Sequence, residues 1–137
     1  MKSIRSDPLA AKCRRAFAAH KQAALLDART LDYDAADLLA LARQSPQCAY
    51  CRMPLLYSFE FDHRVPRART VQAHKLANVC CCCPDCNRAK GQLDAEEFHR
   101  LLTLFADFDP RARTDALRRL KAGGMRYAAS RRTRPQP

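Results

Sequence analysis

At 137 residues the chain has the length of about one domain, and 47% hydrophobic residues with no Trp and only three Gly is a globular composition. It contains no apolar run of about 18 residues, which excludes a membrane-spanning helix. The 25 Lys and Arg against 14 Asp and Glu leave a net charge of +11, a balance that attracts polyanions, of which nucleic acid is the commonest; a solvated basic face that only keeps the protein soluble is the other reading.

The opening Met1-Lys2-Ser3-Ile4-Arg5 lacks the apolar core and small-residue cleavage site of a signal peptide, and predicts a cytoplasmic location. Asp7-Pro8 places a capping residue before a proline suited to the first helical position. The Ala-rich residues 9–29 then predict a helix with a sparse apolar stripe of Leu9, Cys13, Phe17 and Leu25. A second, short helix is predicted from Ala35 to Gln44, capped by Asp34 and stopped before Pro46.

The pair Cys48-x-x-Cys51 follows, and 31 residues separate it from a second pair, Cys83-x-x-Cys86. Two such pairs are the spacing of four zinc ligands: thiolates two residues apart in tight turns grip adjacent corners of a tetrahedral ion, and the second pair closes the sphere. A closed site is structural, so any chemistry lies elsewhere. Four buried thiols or two disulfides are the alternatives. Pro84, Asp85 and Asn87 supply turn and helix-start residues around the second pair. Cys13 and Cys80 to Cys82 fall outside the set and read as small apolar residues.

Between the pairs, Tyr57, Phe59 and Phe61 alternate with Ser58, Glu60 and Asp62, the period of a half-buried strand. On it Asp62 and His63 point to opposite faces unless the backbone bends at Val65-Pro66. After a loop of about a dozen residues, Asn78 to Cys82 predicts a second strand, and Pro84 opens a helix ending near Gly91. Asp94 then caps a helix that brings Phe98, Leu101, Leu102, Phe105 and Phe108 to one face. Asp109-Pro110 opens another, carrying Leu117 and Leu120 among basic residues until Gly123-Gly124. Basic charge concentrates here, with 10 basic and 3 acidic residues in 100–137.

Cys48-x-Tyr-Cys51, Phe61-Asp-His63, Pro66-Arg67, Asn78-Val79 and Cys83-x-x-Cys-Asn-x-x-Lys-Gly91 together resemble the HNH endonucleases in the version that carries four zinc-binding cysteines, over about residues 48–98. The resemblance implies an α+β chain built on a small ββα-metal core with a four-cysteine structural zinc site, flanked by N-terminal and C-terminal helices. The divisions expected are a helical extension over 1–45, the nuclease core over 46–98, basic helices over 99–129 and a disordered basic tail over 130–137. It further implies that Asp62 and Asn87 hold a catalytic divalent ion, that His63 is the general base, that Asn78 orients the loop presenting it, and that cleavage of DNA leaves a 5′-phosphate and a 3′-hydroxyl. The oxygen donors of Asp62 and Asn87 suit Mg or Mn, as thiolates suit zinc. Arg67, Arg69, Arg88 and Lys90 flank the centre as candidate contacts to the nucleic-acid backbone. Two positions depart from the family pattern: Asn87 stands where His is usual, and Arg64, which either reaches a phosphate or faces solvent, stands where an apolar residue is usual. His20, His74 and His99 have no such company and read as structural or solvated, with His74 placed in the loop where it could approach DNA. The competing readings are a zinc-ribbon-like module that binds nucleic acid without cutting it, and a protein-interaction role for residues 100–137.

Overall fold

The computed structural model describes residues 7–55, 58–116, 118 and 119. Helix α1 (Pro8–Leu26) starts as expected, the Asp7 carboxylate accepting from the Leu9 amide at 3.0 Å. It stops three residues short of the predicted end because Ala28 enters the left-handed region at φ 54° and the amides of Ala28 and Arg29 turn back onto Leu25 and Ala24. Its buried stripe runs through Cys13 and Ala24; Leu25, expected in that stripe, is exposed. Helix α2 (Ala35–Arg43) is closed by a reciprocal capping box between Asp34 and Asp37 and buries Leu38 against α1.

Strands β1 (Glu60–His63) and β2 (Val79–Cys82) form an antiparallel pair in the register Glu60↔Cys82, Phe61↔Cys81, Asp62↔Cys80, His63↔Val79. Successive residues alternate faces. Cys80 and Cys82 therefore enter one apolar cluster with Cys48, Tyr50, Cys86, Phe98 and Leu102, and Val79 enters a second with Cys13, Tyr33 and Leu38, against which Phe61 packs. The hairpin is a wall between two cores. β1 begins later than the alternation implied, Ser58 and Phe59 lying outside the ladder and Tyr57 outside the described residues. Asn78 is not in β2; it ends a 3-10 turn (Leu76–Asn78) and spends its side chain on the loop.

Helix α3 (Pro84–Lys90) has Pro84 in its first turn and ends on Gly91, whose φ of 52° suits a residue without a Cβ. Helix α4 (Ala95–Leu104), capped by Asp94, buries Phe98 and Leu102 in the first core; each such side chain contributes about 1.5–3 kcal/mol of burial. The predicted apolar face does not continue: beyond the helix end Phe105 meets Phe108 edge-to-face, and Phe108 is exposed. Residues 110–116 are helical from an Asp109 cap. Leu117, Leu120, Gly123-Gly124 and the tail 130–137 lie outside the described residues. Among the described residues no helix is long and apolar enough to cross a membrane.

Candidate active site and metal centre

The four sulfurs of Cys48, Cys51, Cys83 and Cys86 lie within 4.8 Å of one another. The first pair sits on a tight knuckle in which Cys48 N–H donates to Met53 O at 2.8 Å and Arg52 takes a φ of 66°. The second pair straddles the start of α3, where Cys83 is the N-cap. Backbone amides of Tyr50 and Cys83 donate to the Cys48 sulfur, and that of Cys86 to the Cys83 sulfur. The Cys86 thiol foremost, then the amides of Cys83, Cys51 and Tyr50, favour the thiolate at Cys48 and hold it below the usual thiol range against the opposing effect of burial. A soft, closed set of this kind suits a structural metal such as zinc. The remaining cysteines are buried, and burial pushes the thiols of Cys13, Cys80, Cys81 and Cys82 upward, which leaves them inert.

One face of β1 carries Glu60 and Asp62 toward α3. Asp62 Oδ2 accepts from the Tyr50 hydroxyl at 2.6 Å and lies 3.2 Å from Lys90 Nζ, while Oδ1 accepts nothing among the described residues. On α3, Asn87 Nδ2 donates to Glu60 Oε2, so the amide oxygen points along its other branch. Asp62 Oδ1 and the Asn87 amide oxygen accept no hydrogen bond among the described residues, and oxygens are the donor type that suits a hard cation such as Mg or Mn. Lys90 corrects the sequence expectation. Predicted as a backbone contact, it is buried, with Nζ donating to His63 O at 2.9 Å and paired with Asp62, so it has no reach to a phosphate.

His63 faces the other way. Its ring stands between those of His20 on α1, at 5.3 Å, and His74 in the loop, at 6.1 Å. Nε2 is buried without a partner among the described residues. Desolvation, reinforced by His20, pushes the His63 pKa down to about 4, so the ring is neutral near pH 7. His20 shares a 2.7 Å hydrogen bond with the Tyr33 hydroxyl, and His74 Nε2 one of 2.7 Å with Asp27. His74 is therefore buried rather than free to approach DNA. His99 packs on Tyr50 at 5.5 Å.

The backbone turns immediately after His63, and Asn78 fixes that turn. Its Oδ1 accepts from Val65 N at 2.9 Å, its Nδ2 donates to Val65 O at 3.0 Å and Ala73 O at 3.2 Å, and its own carbonyl accepts from Arg64 N at 2.7 Å. Of the candidate arginines, Arg88 is exposed and Arg64 half-buried. Arg67 forks onto Asp27, and Arg69 onto Glu97 and Asp94. Both line a groove of about 440 Å³ with Arg29, Thr70 and His74.

Three partners were not singled out from sequence. Glu60 stands two residues before Asp62 on a strand, hence on the same face, a signal that was present. Tyr50 lies inside the cysteine knuckle. His20 comes from a helix that no local motif connects to the site.

Residues 48–93 match the family model described as HNH endonuclease, and this segment is an HNH endonuclease-family domain. Over 53 residues the chain is 42% identical to a protein described as CRISPR-associated endonuclease Cas9 from Corynebacterium diphtheriae, an alignment covering 38% of this chain and 5% of that relative. No solved structure matches significantly.

Proposed function

We propose that the protein is a metal-dependent endonuclease that hydrolyses phosphodiester bonds of DNA, with Asp62 and Asn87 holding a divalent ion, Mg or Mn, and His63 as general base. The observation that carries this reading is the pair of oxygens, on Asp62 and Asn87, that accept no hydrogen bond among the described residues, with a neutral histidine next along the same strand on its opposite face. A hard divalent ion held there supplies stabilisation of charge on the phosphate and the leaving oxygen. Zinc in the four-cysteine site holds the knuckle against α3 and acts structurally.

His63 does its work as a neutral acceptor of a water proton, a contribution of roughly 10² to 10⁴ in rate. To reach a phosphate its ring must leave the slot between His20 and His74. Its Nε2 makes no hydrogen bond there among the described residues, so leaving breaks no bond at that atom and regains its solvation. Asn78 keeps the backbone that presents it in place. The exposed Arg88, with Arg64, Arg67 and Arg69, supplies positive charge for the flanking backbone, two of these through ion pairs that a phosphate has to displace.

The burial of His63 Nε2 favours one rival, a zinc-bearing module that binds nucleic acid without cutting it. Nicking of supercoiled plasmid with Mg or Mn separates the two: the endonuclease nicks and His63→Ala does not, whereas a binder leaves the plasmid intact in both forms.

A further inference from the structure

We propose that Tyr50, a residue of the structural-metal knuckle, is the positioning residue for Asp62, so that the four-cysteine site directly sets the affinity of the catalytic ion. This rests on the endonuclease reading above and adds to it a link between its two metal centres.

The phenol is buried. Its ring is seated edge-on against Phe98 at 5.2 Å, which fixes its direction. The residue lies between Cys48 and Cys51, and its own amide donates to the Cys48 sulfur at 3.4 Å. Its hydroxyl accepts from the Cys80 thiol at 3.4 Å and donates to Asp62 Oδ2 at 2.6 Å. One side chain thus ties the knuckle to the carboxylate with no intermediate.

The consequence for Asp62 is geometric. A carboxylate on a short stem rotates freely about its last bond unless its oxygens are made unequal. Here Oδ2 is claimed twice, by Tyr50 and by Lys90 at 3.2 Å, and Oδ1 is left for a cation. Lys90 alone does not suffice: its ammonium has no fixed fork and also serves His63 O. The phenol hydroxyl, held by a packed ring, supplies the direction. Partners of this type, one bond behind a metal ligand, typically change metal affinity or activity by about 10- to 100-fold when removed.

Tyr50→Phe deletes only the hydroxyl. Binding of Mn(II) to the full-length, zinc-loaded protein is read by electron paramagnetic resonance for the parent, Tyr50→Phe and Asp62→Asn, with zinc content measured on each sample. The expected result is one zinc per chain throughout, Mn(II) binding about 10-fold or more weaker in Tyr50→Phe, and a half-saturating Mn(II) for nicking raised in parallel while the rate at saturating Mn(II) recovers. A purely structural role would not move metal affinity while leaving zinc in place. Parent-like Mn(II) affinity in Tyr50→Phe, with binding lost in Asp62→Asn, overturns the positioning role and leaves the endonuclease reading standing. Equal binding by the parent and Asp62→Asn removes the ion site on which both rest. Loss of zinc from Tyr50→Phe assigns the hydroxyl to the knuckle's own fold and likewise overturns the proposal.

Discussion

The imidazole of His63 lies 5.3 Å from that of His20, so the residue proposed as base is walled by helix α1, which lies outside the matched segment 48–93. If that wall confines the ring, His20→Ala opens the slot. It also loses the bond to Tyr33, at about 1 kcal/mol of stability. The expected outcome is a slightly lower Tm with faster nicking, up to about tenfold if some 1.4 kcal/mol of confinement is released. A folded variant with a slower rate contradicts the confinement.

The four-cysteine site is expected to hold the domain together. Structural zinc supplies roughly 10 to 16 kcal/mol of apparent binding energy, comparable to a small domain's whole stability. Cys48→Ser or Cys86→Ser should lose the metal together with cooperative melting, because both residues also belong to the core around Phe98. Circular dichroism melts beside zinc content check this. An unchanged Tm in either variant refutes the assignment.

Lys90 and Arg88 sit two residues apart and should behave as opposites. Lys90→Ala strips a donor from Asp62 and from the His63 carbonyl in a buried setting and should cost about 3 kcal/mol or more. Arg88→Ala should leave Tm unchanged and lower the salt dependence of DNA binding, the slope of log K against log salt falling by about 1. Thermal melts and a salt titration of binding test the contrast, and the reverse pattern disproves it.

Asp27 joins the end of α1 to the loop through Arg67 and His74. The Arg67 guanidinium, then His74, hold its carboxyl well below the usual carboxylate range. A depressed folded value means that its stabilisation is fully present above the ordinary Asp value of about 3.9 and is lost as the pH falls below it. Asp27→Asn should therefore lower Tm at pH 7, and the gap between the two proteins should narrow as the pH is taken below about 4. A gap that stays constant down to strongly acid pH contradicts this linkage.

Much of this architecture was legible because its signals are local. Asp7-Pro8, Asp34, Pro84, Gly91 and Asp94 each mark a helix boundary through backbone chemistry that tertiary packing does not override, and the paired cysteines announce their cluster by spacing alone. The alternation around Phe61 located β1, although Ser58 and Phe59 are not in the ladder. What the sequence hid is long-range. Nothing near Lys90 reveals that the end of α3 drives it inward against Asp62, and nothing in α1 reveals that His20 reaches β1. Leu25 and Phe108 misled because a helical stripe shows which residues share a face, not how far the neighbouring core extends to cover it.

Nicking of supercoiled plasmid in Mn(II) by the zinc-loaded parent and by His63→Ala tests the central claim most directly. The account predicts metal-dependent nicking by the parent and a loss of roughly 10² to 10⁴ in the variant, with Tm and zinc content retained. Equal cleavage by both proteins, or none by either, contradicts it.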